Sequence, residues 1–158
     1  MTLMVKVPDN PLIRGFTLVE LLISVGIVAL LSAVALPSYR EHRDRVDNGL
    51  AAKDIMLIDQ AIERFYYDTN TYPASLAAVG SGGLRDPWGN SYQYLRFDES
   101  TRRGEMRKDR NLVPVNNDYD LYSNGKDGLS TKPFTSAKGR DDVVRANNGR
   151  YIGLAEDY

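Results

Sequence analysis

The sequence predicts an α+β protein in which one long amino-terminal helix, apolar over its first half and amphipathic over its second, packs on a small antiparallel sheet. Three observations carry this. An almost unbroken apolar run extends from Phe16 to Leu36. An apolar stripe at helical spacing follows, from Ala51 to Phe65. The rest of the chain is divided by turn-forming Pro, Gly, Asn and Asp into short segments, some alternating as strands do. With 158 residues there is room for one modest globular domain plus this extended element.

Composition removes several classes of function. Lys plus Arg is 20 and Asp plus Glu is 21, so the overall charge gives no reason to expect a nucleic acid or another polyanion as partner. The absence of cysteine excludes a disulfide framework, a thiolate metal site and a thiol nucleophile. The single histidine, His42, sits among charges in REHRDR and reads as part of a solvated helix face, not as a catalytic base. No constellation for catalysis is present.

The run from Phe16 to Leu36 is 21 residues long, and as a helix it covers about 31 Å, the thickness of a bilayer's hydrocarbon core. It is apolar all round, which a core helix of a soluble domain is not. Glu20 interrupts it near one end, although a carboxylate at mid-span costs about 3 kcal/mol on insertion scales and less near an end. A plain membrane anchor leaves Glu20 unexplained. So does a secretory signal with Lys6 and Arg14 as its basic region, Leu21 to Ala35 as its apolar region and Ala33-Val34-Ala35 as a cut site; that reading would release a soluble, secreted calcium-binding module starting at Leu36.

Arg14-Gly15 followed by Phe16-Thr17-Leu18-Val19-Glu20-Leu21-Leu22 resembles the leader and cut site of type IV pilins and of the pseudopilins of type II secretion, and Pro37 falls at the helix-kinking proline of that family. The resemblance implies a pilin fold and a leader over residues 1–15 that a prepilin peptidase removes after Gly15, with methylation of the new amino terminus at Phe16. It implies a transmembrane and filament-core helix over 16–37, an amphipathic continuation over 38–70 and a globular head over 71–158. It further implies a single pass through the bacterial inner membrane with the head in the periplasm, and a homo-oligomeric filament assembled with minor pseudopilins and an inner-membrane platform. The sequence itself does not give that orientation, because Arg40, Arg43 and Arg45 follow the span as closely as Lys6 and Arg14 precede it. On this reading Glu20 and Pro37 serve assembly: Glu20 meets the amine of a neighbouring subunit and sets register, and Pro37 loosens the helix just past the span. Small residues at Ser24, Gly26, Ala29, Ser32, Ala33 and Ala35 allow close helix approach.

Past Pro37, Ala51, Ile55, Ile58, Ile62 and Phe65 form one stripe on a helix running to about Asp68, with Glu41–Arg45 and Arg43–Asp47 as i,i+4 pairs. Asn70 and Pro73 are the stop signal. Asp86, Pro87 and Gly89 occupy type I turn positions that launch a strand over Ser91 to Phe97. DPWGNSYQY is also similar to a segment of the major pseudopilin. DESTRRGEMRKDRN, Asp98 to Asn111, reads as a solvated hairpin loop and not as a patch for DNA or acidic lipid, since acids interleave with the bases and no aromatic residue is available to stack.

A short strand, Tyr119 to Tyr122, ends in turn chemistry at Asn124-Gly125 and Asp127-Gly128, and a tail of little periodicity follows. Asp120, Ser123 and Asp127, with Asp141 and Asp142 further on, are hard oxygen ligands of the kind calcium takes, outside the order of an EF-hand loop. Composition alone reads them as solvated turn acids. YDLYSNGKDG is, however, similar to the calcium loop of the major pseudopilin. That resemblance implies calcium held by Asp120, Ser123 and Asp127 with Asp142 as the distal ligand, stabilising the carboxy-terminal loop as a disulfide does in many pilins. Asp142 lies at a longer spacing than the family's, and the ending ANNGRYIGLAEDY departs from those proteins. The family's two functions, secretion pseudopilus and surface pilus for adhesion or motility, share the same amino-terminal helix.

Overall fold

The computed structural model describes residues 15–158, so all of the expected leader except Gly15 lies outside the described residues. The chain forms two compact units, one ending at Glu41 and the other running from His42 to Tyr158. Helix α1, Leu18–Thr69, contributes to both and contains Pro37.

In the first unit every large apolar side chain from Phe16 to Leu36 is more than half exposed. The hydroxyls in this stretch are satisfied within the helix: Ser24 donates to the Glu20 carbonyl and Ser32 to that of Val28, each at 2.7 Å. The surface left over is a continuous apolar cylinder, long enough to cross a membrane.

In the second unit α1 buries Ala51, Ile55, Ile58 and Ile62, the stripe read from the sequence, while Phe65 is only partly covered. The helix stops at Thr69 because Asn70 turns left-handed, at φ 56°, and donates its N–H to the Tyr66 carbonyl at 2.7 Å. Four antiparallel strands follow in the order β1-β2-β3-β4: Gln93–Arg96, Tyr119–Ser123, Val143–Ala146 and Tyr151–Leu154. The first two fall where alternation put them. The β3–β4 hairpin lies in the tail that showed no period; Asn147, Asn148 and Gly149, all at positive φ, make its turn.

Strand alternation distributes side chains to the two faces of the sheet. Tyr119, Leu121 and Val143 join the helix stripe, with Leu76 and Tyr92, in the main core. Val144 and Ala146 join Val115, Phe134 and Ala155 in a second cluster, which has Tyr122 and Tyr151 at its margin. Loop 98–111, expected to be solvated, is exposed at many positions but sends Arg107 inside: it is 3 % exposed and stacks over Tyr122 at 4.2 Å and Phe134 at 5.1 Å. A guanidinium can be buried there because two aromatic faces, the Asp142 carboxylate and the Ser130 hydroxyl receive it.

Arg145 of β3 does the same on the helix face. It binds Asp118 at 2.8 Å through both terminal nitrogens, pairs with Asp59 of α1, lies 3.8 Å from Glu63 and sits 4.0 Å over the Tyr119 ring. The Tyr119 hydroxyl donates to the same Asp59, at 2.7 Å. Helix and sheet are thus joined by one desolvated cation. Arg145→Met should lower the unfolding free energy by about 3–5 kcal/mol, because Asp59 and Asp118 would keep their charges without a partner. Arg145→Lys should recover only part of that loss, since an ammonium lacks the fork and the stacking plane. Urea titration of the three proteins in one detergent checks this, and equal midpoints would mean that the node is energetically neutral.

Burial also pushes the phenols of Tyr72 and Tyr94 up to about 12, and those of Tyr92 and Tyr119 further in the same direction. A group that ionises less readily when folded contributes fully below its unfolded value, here 10.0, and loses that contribution as pH rises through the raised values. The urea midpoint should therefore fall between about pH 10 and 12. A level midpoint across that window would contradict the burial of these rings.

Candidate functional site

Two regions hold the candidate residues. At the amino end of α1, Thr17 is the N-cap. Its hydroxyl accepts the Glu20 N–H at 3.2 Å and donates to the Glu20 carboxylate at 3.0 Å, while the Thr17 N–H donates to that carboxylate at 3.2 Å. This reciprocal capping box satisfies helix-end donors and sets the carboxylate at the positive end of the helix dipole. Glu20 therefore has a role within one chain that charge counting alone did not reveal, although Thr17-Leu18-Val19-Glu20 carries the capping-box spacing. Gly15 and Phe16 precede the cap, and Phe16 is 82 % exposed. Pro37, without an N–H, leaves the Ala33 carbonyl without its usual helical donor.

At the other end of the chain the four expected oxygen ligands do not meet at one point. Asp120 and Ser123 stand three positions apart on β2, an odd offset, so their side chains leave opposite faces of the sheet. Asp120 accepts from the Arg107 N–H at 2.7 Å and from Asn116 at 3.0 Å; burial raises its carboxyl above the usual range, against these bonds. Asp142 is engaged with the Arg107 guanidinium at 2.5 Å and the Ser130 hydroxyl at 2.6 Å, and burial pushes it up to about 6 against the pull of Arg107. Ser123 donates its hydroxyl to Asp86 at 2.6 Å and accepts the Gly125 N–H at 3.1 Å.

Asp127 stands in different company. It accepts the Leu129 N–H at 2.7 Å, and its own N–H donates to Asp141 at 3.1 Å. Between these residues Gly125, at φ +66°, lies so close to Asp141 that an added Cβ would stand 2.2 Å from the Asp141 carbonyl oxygen; only glycine fits. Asn124 Oδ1 and Asp141 Oδ1 are buried with no hydrogen-bond partner. Buried acceptors left without donors are what a cation satisfies. Among the described residues no group of three or more His, Asp or Glu converges, so a cation here needs amide and backbone oxygens besides the two carboxylates. That mixed hard-oxygen set fits calcium. Lys126, inside the same turn, has its ammonium neutralised by Asp44 of α1 at 2.7 Å.

Asn124 does not read as a ligand from sequence, and Asp141 reads as a hard oxygen donor but is left out of the implied set in favour of Asp142. The signal available was the adjacent pair Asp141-Asp142, but nothing local tells which of the two faces the Asp127 turn.

Residues 12–36 match the prokaryotic N-terminal methylation motif. Over 101 residues, 51 % of this chain and 69 % of the relative, the sequence is 30 % identical to the type II secretion system core protein G of Vibrio cholerae serotype O1. It is 27 % identical to the protein of the same name from Pseudomonas aeruginosa over 135 residues, 72 % of this chain and 84 % of the relative. A fimbrial protein of Neisseria meningitidis serogroup A is 32 % identical over 161 residues, 90 % of each chain. No solved structure matches.

Proposed function

The chain belongs to the type IV pilin-like family and to its pseudopilins, which are structural filament subunits and not enzymes, and from that premise we propose that it is the major subunit of a type II secretion pseudopilus. It is held in the bacterial inner membrane by one pass of α1, with its head in the periplasm, until a prepilin peptidase cuts after Gly15 and methylates Phe16. It then polymerises with its own kind on an inner-membrane platform, together with minor pseudopilins, and growth of the filament drives export of folded proteins.

One observation carries this reading: an uncovered apolar helix with a single carboxylate at its start. In oil that surface needs no partner, but the charge does. Cutting before Phe16 creates an ammonium one helical turn from Glu20, and staggered subunits bring each amine beside a neighbour's carboxylate. The pair restrains register, since a subunit out of step leaves both charges alone in a medium that penalises each. A surface pilus is the second reading; the long match to a fimbrial protein favours it.

The amino terminus tests the assignment. Intact mass of the assembled protein should correspond to a chain starting at Phe16 with one added methyl, and Glu20→Val should insert in the membrane but give sharply fewer filaments. A mature chain starting at Leu36, or a normal filament yield from the variant, would remove the assembly role of Glu20.

A calcium ion held by Asp127 and Asp141 with Asn124 would tie the carboxy-terminal segment to the sheet, the task a disulfide performs elsewhere. At a dissociation constant of about 0.1–1 mM, usual for extracellular sites, about 10 mM calcium stabilises the folded state by about 1.4–2.7 kcal/mol. Asp127→Ala and Asp141→Ala should each abolish the calcium-dependent rise in Tm, and Asp120→Ala should leave a rise even where it lowers basal stability. Identical melting of the unmutated protein in chelator and in calcium would refute the site.

A further inference from the structure

The turn Asp86-Pro87-Trp88-Gly89-Asn90 closes with the Gly89 N–H donating to the Asp86 carbonyl at 2.9 Å. Its aspartate is 4 % exposed, and Asp86 Oδ1 serves the turn itself by accepting the N–H groups of Trp88 at 3.1 Å and Asn90 at 2.7 Å. A turn of this kind needs nothing more from its aspartate. The second oxygen, Oδ2, instead accepts the hydroxyl of Ser123, 37 residues on, at 2.6 Å. That distance is typical of a charge-assisted O–H···O⁻ bond.

The contact fixes the direction of a relay. A serine hydroxyl has one proton, and giving it to Asp86 leaves lone pairs for the Gly125 N–H, which donates to them at 3.1 Å. The other side of the same residue is held too, since Asn90 Nδ2 donates to the Gly125 carbonyl at 3.3 Å. Gly125 is thus gripped at both its amide and its carbonyl by the Asp86 turn. It is also the residue whose Cα lies against Asp141 and which separates Asn124 from Lys126 and Asp127.

We infer that Asp86, acting through Ser123, and Asn90, acting directly, are positioning residues for the cation site formed by Asn124, Asp127 and Asp141. They touch none of its candidate ligand oxygens. They hold the Gly125 peptide in the one orientation that leaves room for Asp141, and so set the spacing of the three ligating side chains. The inference rests on the calcium reading above. It also predicts that Trp88, the only tryptophan in the chain and bonded to Asp86 through its backbone N–H, senses the site.

The test uses the full chain in detergent micelles, with calcium chloride as the probe, calorimetry for binding and Trp88 emission for the relay. The unmutated protein should bind calcium with a dissociation constant of about 0.1–1 mM and change its emission in step. The isosteric Asp86→Asn keeps an acceptor for the turn but offers Ser123 a donor where it needs an acceptor; it should raise the dissociation constant about tenfold and uncouple the emission. Ser123→Ala should do the same, and the double variant should bind no worse than either single one, as two links of one chain require. Far-UV circular dichroism in chelator should be unchanged, and if Asp86→Asn does not fold there, Ser123→Ala decides alone. Calcium binding at unmutated strength in these variants, or additive losses in the double variant, overturns the relay and leaves the calcium site standing. No binding heat from the unmutated protein overturns the calcium site and the relay with it.

Discussion

The head of this protein is organised around one desolvated cation. Arg145 lies on a central strand with its guanidinium over the Tyr119 ring, shared by Asp59 and Glu63 from the helix and Asp118 from the approach to β2. Each acid would be costly beneath a helix without it, and it would be costly without them. Their mutual dependence favours one register between helix and sheet: sliding the helix by a turn would carry Asp59 and Glu63 away from the buried guanidinium. The NNG turn after β3 passes beside the node, with Gly149, at φ +80°, next to Arg145 and Asp59.

The opposite face repeats the device with different partners. Arg107 comes from a loop, inserts against Tyr122 and Phe134, and pairs with Asp142 at the entrance to β3 while its own N–H binds Asp120. The four-stranded sheet has two faces to cover, and among the described residues one long helix to cover them. The second face is sealed by irregular chain, which lacks the continuous apolar stripe of a helix and is held by polar contacts. Without cysteine, cross-linking of that irregular chain falls to Arg107 and to the turn around Gly125. The oxygen-rich residues thus divide into two groups: Asp120 and Asp142 are engaged by Arg107, although Asp142 Oδ1 keeps no hydrogen-bond partner, and Asn124, Asp127 and Asp141 lie around the Gly125 turn without a cationic side chain bonded to them.

The membrane-facing half follows a simpler rule. Apart from the Ala33 carbonyl opposite Pro37, backbone groups are satisfied within the helix, hydroxyls fold back onto carbonyls, and the one carboxylate is placed at the helix start, where the capping box and the dipole favour it. On the proposed assembly such an element sits in lipid as a single chain and presents a charge that the amine of another chain would meet. Monomer and polymer can therefore use the same helix without refolding.

The sequence by itself determined the long helix, its division into an apolar and an amphipathic half, its stop at Asn70, the Asp86 turn and two of the four strands. Each is governed by periodicity or local turn chemistry within a few residues. It also carried the family, through the spacing of Gly15, Phe16 and Glu20. Only the tertiary structure decided which acids pair with buried arginines and which surround the Gly125 turn. Asp141 and Asp142 are adjacent and chemically identical, yet at the entrance to β3 Asp142 meets Arg107 and Asp141 meets the Asp127 N–H. The burial of Arg107 and Arg145 was equally illegible, because a charged residue reads as solvated until partners distant in sequence close around it.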